Sequence, residues 1–210
     1  MTETPMLLFL PGASGNTHFW QQVYVHLQHA GEPIFFGWPG FGGVPHDPGV
    51  RGFNDLVGRV VSVLDQNAER PVAVLAQSMG GAIALHAALA RPARVRHLVL
   101  SATSGGVDVS RLGGSDWRPS FARQFPDAPR WFAEHRSDLS EPLKTLDIPT
   151  LLLWGDADPI SPVAVGEHLQ QLLPRASLRV ITGGDHDLVD THADEVAPYI
   201  AAHLSDLSNS

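Results

Sequence analysis

The stretch VAVLAQSMGGAIALHAAL, Val72–Leu89, decides how the rest of the chain is read. Val72–Ala76 is a short apolar run, expected to be a strand buried on both faces. Alanine and leucine dominate from Gly80 to Ala90, where a helix is expected, stopped by Arg91-Pro92. Ser78 therefore sits on a tight strand-to-helix turn. Backbone strain in such a turn pushes the hydroxyl out above the sheet, the posture of a nucleophile. The usual pattern is Gly-x-Ser-x-Gly, and here Ala76 takes the first glycine's place. The positions two before and two after the serine approach other backbone closely, so they require small residues. Ala76 adds one methyl; Gly80 and Gly81 satisfy the downstream side. The helix amino end also favours developing negative charge. The competing reading is an ordinary capping serine.

Outward from this stretch, strands and helices alternate. Further short apolar strands are expected at Met6–Leu10, Pro33–Phe36, Val95–Leu100, Thr150–Trp154 and Leu178–Ile181. Helical spacing predicts helices over Thr17–Ala30, Phe53–Gln66, Pro162–Leu173 and Val189–Leu204. Asn54 or Asp55 is the expected cap of the second of these. Short strands apolar on both faces and separated by helices indicate a parallel sheet covered on both sides. Such sheets carry their functional loops at the carboxyl ends of the strands. Ser101 to Leu146 breaks the alternation. It holds no clear strand, but it carries Trp117, Phe121, Phe125, Trp131 and Phe132 among several prolines. We read 104–146 as a small helical cap on a single domain spanning 1–210. Its aromatics form a satellite core, contact substrate, or do both.

The chain has 210 residues, 43% of them hydrophobic and 17% charged, the profile of one globular soluble domain. Fourteen basic against 22 acidic residues give a formal charge of −8, which argues against nucleic acid or an anionic membrane as the main partner. There are no cysteines, so disulfides, thiolate metal sites and cysteine nucleophiles are excluded. The opening segment lacks a basic region, and Met6–Leu10 is too short for a signal or membrane span. A cytoplasmic location is expected.

A serine nucleophile needs a base, a group to orient that base, and donors for the oxyanion that forms. Most of the 11 histidines fall within predicted helices or at strand edges. His186 lies in Gly183-Gly184-Asp185-His186-Asp187-Leu188, after the last expected strand, on the same edge as Ser78. Asp185, His186, Asp187, Asp190 and His192 also permit a metal reading, but no second cluster completes the coordination. The orienting acid is expected after the strand at Thr150–Trp154, where Asp156 and Asp158 compete, each also able to serve as a turn residue.

Taken together, Leu10-Pro-Gly-Ala-Ser-Gly15, Gly37-Trp-Pro-Gly-Phe-Gly42, the Ser78 turn, Leu153-Trp-Gly-Asp-Ala-Asp158 and Gly184-Asp-His186 resemble the α/β-hydrolase superfamily over nearly the whole chain. The order Ser78, Asp158, His186 is the chain order of that fold. The resemblance implies a three-layer α/β sandwich with about six parallel strands. It selects Asp158 over Asp156 and assigns the oxyanion hole to the backbone N–H groups of Ala13 and Met79. Pro11-Gly12 stands where His-Gly is frequent in the family, removing a side chain that often braces that loop. The short cap implies an open or shallow pocket for small acyl groups, with Trp38, Phe41, Trp117, Phe121 and Trp131 as candidate pocket residues. The expected activity is hydrolysis of a small carboxylic ester or thioester through an acyl-enzyme, with no metal or organic cofactor and a small-molecule acyl substrate as partner. Carbon–carbon hydrolysis, a lyase reaction, lactone hydrolysis and cofactor-free haloperoxidation use the same triad. A non-catalytic ligand-binding protein is the remaining alternative.

Overall fold

A computed structural model describes residues 5–27 and 31–205 of the chain. Six strands form one fully parallel sheet: β1 (Met6–Leu10), β2 (Glu32–Phe35), β3 (Val72–Gln77), β4 (His97–Ser101), β5 (Thr150–Gly155) and β6 (Ala176–Ile181), in the order β2-β1-β3-β4-β5-β6. Alternate residues of each central strand face opposite layers, as the two-residue period of a strand requires. Met6, Leu8, Leu10, Val72, Val74, Ala76, Leu98, Leu100, Leu152 and Trp154 pack on one side. They meet α2 (Phe53–Gln66), α3 (Met79–Ala90) and α7 (Val163–Leu172). Leu7, Phe9, Ala73, Leu75, Val99, Leu151 and Leu153 pack on the other. They meet α1 (Gln21–His26), α8 (Leu188–Thr191) and α9 (Ala193–His203). The helix after Ser78 is buried almost all round, which explains why its apolar residues show no single face.

Strand order reverses at β1. The chain leaves β1 towards β2 on one side, through α1, and re-enters as β3 on the other side, through α2. The two loops diverge and leave a crevice at the carboxyl ends of β1 and β3, the usual ligand position in such sheets. The register keeps these ends level: Leu10 pairs Ala76, Gln77 pairs Ser101, and Gly155 pairs Ile181.

The element boundaries differ from the sequence reading in instructive places. The first helix starts at Gln21 rather than Thr17, because residues 17–20 form turns, though Phe19 and Trp20 still reach the core. Residues 28–30 of its expected span lie outside the described residues. Gly52, not Asn54 or Asp55, is the N-cap of α2; the Asp55 carboxylate instead reaches back to the Arg51 amide, 2.8 Å away. β4 starts two residues late, after a 3-10 turn at Pro92–Arg94, and β6 starts two residues early. The expected last helix is split at His192, whose φ and ψ of −124° and 36° leave the helical range. The split lets Leu188 and Val189 on one half, and Val196, Ala197 and Ile200 on the other, each pack on the sheet.

Between β4 and β5 run a 3-10 turn at Val109–Leu112, then α4 (Arg118–Gln124), α5 (Arg130–Glu134) and α6 (Ser140–Leu143). The rings of Trp117, Phe121, Phe125 and Phe132 hold this segment together at centroid distances of 5.1–5.5 Å. Among the described residues no helix is long and apolar enough to cross a membrane.

Candidate active site

Ser78 has φ of 51° and ψ of −116°. A non-glycine residue there is strained by an amount on the order of 1–3 kcal/mol and persists only where its surroundings hold it. They do so through its own peptide groups. The Ser78 amide donates to the Ser101 carbonyl at 3.0 Å, and the Ser78 carbonyl accepts the Thr103 hydroxyl at 2.6 Å. A Cβ on Gly80 would lie 2.5 Å from the Pro11 carbonyl oxygen and 2.7 Å from that of Leu10, so glycine is required where α3 crosses the end of β1. Ala76 has room for its methyl, which is buried in the core beside α3.

The loops after β5 and β6 deliver the other two groups. His186 Nε2 lies 3.0 Å from Ser78 Oγ, and Nδ1 lies 2.8 Å from Asp158 Oδ2. A neutral imidazole with its proton on Nδ1 thus donates to the carboxylate and accepts from the serine hydroxyl. The Asp158 side chain is fully buried, and its other oxygen accepts the amides of Ile160 and Ser161 at 2.8 and 3.1 Å. Asp156, its rival in the sequence, points elsewhere and accepts the Gly183 amide at 2.7 Å. That bond, with Ala157 N–H to the Gly184 carbonyl at 2.9 Å, ties the acid loop to the histidine loop. Asp187, beside the histidine on the cavity rim, has its carboxyl pushed above the usual range. Burial of the charged form is the main cause, opposed by His186 and reinforced by Asp185, Asp190 and Asp158. No group of three or more His, Asp or Glu among the described residues is arranged to hold a metal ion.

The Ala13 and Met79 amides have no acceptor among the described residues, and both residues line the cavity in front of Ser78. The loop carrying Ala13 is braced by two indoles. Trp38 Nε1 donates to the Pro11 carbonyl at 2.9 Å, and Trp20 Nε1 to that of Leu10 at 3.2 Å. Trp38 is therefore not the pocket residue expected from the sequence. It is fully buried, because its ring fills the core under the loop while its only polar atom finds a backbone partner.

The cavity over Ser78 measures about 1300 Å³. Of the open or shallow pocket expected from a short cap, the open form is what the structure shows, and it is larger than small acyl groups need. The segment between β4 and β5 is held by its own aromatic cluster and leaves the space in front of Ser78 open. Trp117 and Phe121 line it as expected, together with Phe132, Phe53 and Ala82. Phe41 and Trp131 do not. Their rings meet edge to face at 6.0 Å and close the seam between the Gly37–Pro48 loop and α5. Phe41 also borders a smaller hollow of about 240 Å³ next to Ala13. Their burial against each other removes more apolar area from water than exposure in a wet cavity would.

Three further buried polar residues at the site were not singled out from the sequence: Gln77, Thr103 and Ser161. Gln77 Nε2 donates to the His186 carbonyl at 3.0 Å and so holds the histidine loop. Its place directly before Ser78 was the one available signal.

The model for the alpha/beta hydrolase fold family matches residues 5–139 and 126–193. A poly(3-hydroxyalkanoate) depolymerase of Ectopseudomonas oleovorans is 30% identical over 96% of this chain and 84% of its own. A non-heme chloroperoxidase of Kitasatospora aureofaciens is 38% identical over 28% of this chain and 22% of its own. The chain matches about a quarter of the length of the chloroperoxidases it resembles. A solved structure of a thermophilic esterase from Thermogutta terrifontis superposes with a TM-score of 0.80 at 21% identity, covering 99% of this chain and 91% of that one.

Proposed function

Because the chain belongs to the alpha/beta hydrolase fold family, we propose that it is a serine hydrolase cleaving a carboxylic ester or thioester. The observation that carries this reading is the unbroken contact from Asp158 through His186 to Ser78 Oγ, at 2.8 and 3.0 Å, opening into a cavity. Ser78 Oγ attacks the acyl carbonyl carbon as its proton passes to His186 Nε2. Asp158 holds the ring and stabilises the imidazolium. The carbonyl oxygen, now an anion, is bound by the Ala13 and Met79 amides, each worth about 3–4 kcal/mol by analogy with a protease donor. Collapse expels the alcohol or thiol, which takes the proton from His186. Water, deprotonated by the same ring, then attacks the acyl-enzyme; the acid leaves as His186 returns the proton to Ser78 Oγ. The depolymerase relative, matched over most of both chains, supports hydrolytic chemistry.

The test is labelling with a serine-directed fluorophosphonate beside hydrolysis of p-nitrophenyl esters. Wild type is expected to label and turn over; Ser78→Ala is expected to lose labelling and roughly 10⁴–10⁶ of kcat. An unlabelled wild type rejects the reading. The chloroperoxidase relative favours a second one, halogenation on the same triad. Halide- and peroxide-dependent halogenation without ester turnover would select it.

A further inference from the structure

Ser78 and Asp158 follow β3 and β5, two strands that do not touch; β4 lies between them. The loop after β4 bridges the gap. Thr103 Oγ1 donates to the Ser78 carbonyl at 2.6 Å, and the Thr103 carbonyl accepts the Ser161 hydroxyl at 3.2 Å. The Ser161 amide donates to Asp158 Oδ1 at 3.1 Å. With Asp158 to His186 and His186 to Ser78, these bonds close a ring through all three triad residues. We infer that Thr103 and Ser161 are positioning residues that fix the nucleophile's peptide against the acid loop. This inference rests on the acyl-enzyme reading above.

Several features make the ring more than a set of incidental contacts. Thr103 is fully buried and Ser161 is 2% exposed. Each hydroxyl also accepts one further bond: Thr103 Oγ1 from the Gly105 amide at 3.1 Å, and Ser161 Oγ from Trp154 Nε1 at 3.2 Å. A hydroxyl that must accept from one side can donate only to the other, so neither can rotate away. The bridging loop starts at Ala102, whose φ of 47° makes it, with Ser78, one of two non-glycine residues of positive φ among the described residues. Two strained turns thus lie side by side and hold each other through Ser78 N–H to the Ser101 carbonyl and Thr103 Oγ1 to the Ser78 carbonyl.

The Ser78 carbonyl and the Met79 N–H belong to the same planar trans peptide and point in opposite directions. Whatever fixes the carbonyl fixes the oxyanion donor. The Gly81 and Ala82 amides also reach that carbonyl, at 3.1 and 3.4 Å, but they belong to the helix that the peptide starts. Thr103 is the anchor from outside the helix. A second close contact agrees with this: a Cβ on Gly81 would lie 2.6 Å from Thr103 Cβ and Oγ1, so a glycine there gives Thr103 its place.

The test compares wild type, Thr103→Val, Thr103→Ser, Ser161→Ala and the double variant Thr103→Val/Ser161→Ala, by ester kinetics and by the fluorophosphonate labelling rate. Thr103→Val is expected to lower kcat and the labelling rate about 10- to 100-fold with KM changed less than threefold. Thr103→Ser should recover most of the loss. Ser161→Ala keeps the amide bond to Asp158 and should cost about 3- to 10-fold in kcat. The double variant should fall well short of the product of the two single losses, because both break one ring. If Thr103→Val does not fold, Ser161→Ala and Thr103→Ser carry the test, and an unchanged kcat and labelling rate in Ser161→Ala overturns the inference. It is also overturned by a folded Thr103→Val that labels at the wild-type rate, by absent rescue in Thr103→Ser, or by fully multiplicative losses. A wild type that does not label rejects the acyl-enzyme reading and this inference together; a wild type that labels with insensitive variants rejects this inference alone.

Discussion

At the scale of single residues, the two aspartates after β5 divide two tasks that the local pattern leaves undivided and that the family resemblance assigned by choosing Asp158. Asp158 faces the imidazole, and Asp156 holds the Gly183 amide. Asp158→Asn keeps the shape of the side chain but favours the wrong histidine tautomer. It is expected to lower kcat by up to about 10⁴, as the same change does in a serine protease. Asp156→Asn keeps an acceptor for the Gly183 amide and should cost less than about tenfold. Steady-state kinetics on a p-nitrophenyl ester, with circular dichroism to check folding, separates the two. Equal losses would contradict the assignment. Ala76 shows how a motif's letter and its physical reason come apart. The requirement for glycine falls on Gly80, where a Cβ meets two carbonyl oxygens, and not on position 76, whose methyl joins the core. Trp38 teaches the opposite lesson. Its sequence neighbourhood pointed to the pocket, but nothing in the sequence says that its indole N–H will meet the Pro11 carbonyl from 27 positions away.

At the scale of elements, the segment between β4 and β5 meets α2 and α3 through a histidine pair on Phe53. His135, at the end of α5, stacks on Phe53 at 3.8 Å with ring planes 8° apart, and His86 of α3 meets the same phenyl edge to face at 5.4 Å. Both imidazoles are held below the ordinary histidine range, first by burial. His135 lowers His86 further, and Arg136 lowers His135. Neither Nε2 has a hydrogen-bond partner among the described residues, so an added proton would go unsatisfied. The sign follows from linkage. With folded values below about 6.5, the unfolded chain binds protons first as pH falls, so these groups leave stability intact above that pH and reduce it below. The urea midpoint should therefore drop between about pH 6.5 and 5. His135→Phe, which keeps the stack, should flatten that slope. A slope unchanged in both His135→Phe and His86→Phe would show that the pair is not its source. The strands and the long helices were legible because their periodicity reflects burial in a layered core. The helical character of the segment between β4 and β5 was expected, but the bounds of its short helices were not legible, since their order comes from ring contacts between Trp117, Phe121 and Phe132.

At the scale of the whole molecule, the cavity exceeds the roughly 300–1000 Å³ of ordinary small-molecule sites. Its apolar wall, with Ala82, Phe53, Phe121 and Phe132, can take an acyl chain of some length. Burial of one methylene is worth about 0.8 kcal/mol, or about fourfold in kcat/KM. Across p-nitrophenyl esters from acetate to octanoate, kcat/KM should rise by up to this factor per methylene before reaching a plateau. A maximum at acetate would mean that the cap closes over the cavity in solution.

The sequence by itself determined the parallel three-layer architecture and the chain order of Ser78, Asp158 and His186, because alternating apolar runs and turn residues are local signals of what must be buried. Only the tertiary structure decided the rest: that Asp156 turns to the Gly183 amide, which aromatics leave the pocket for the core, how much space stays open over Ser78, and that Gln77, Thr103 and Ser161 knit the loops together. These depend on which strand ends lie side by side, and hydrogen bonds between residues 58 or 109 positions apart follow from that adjacency, not from any local pattern.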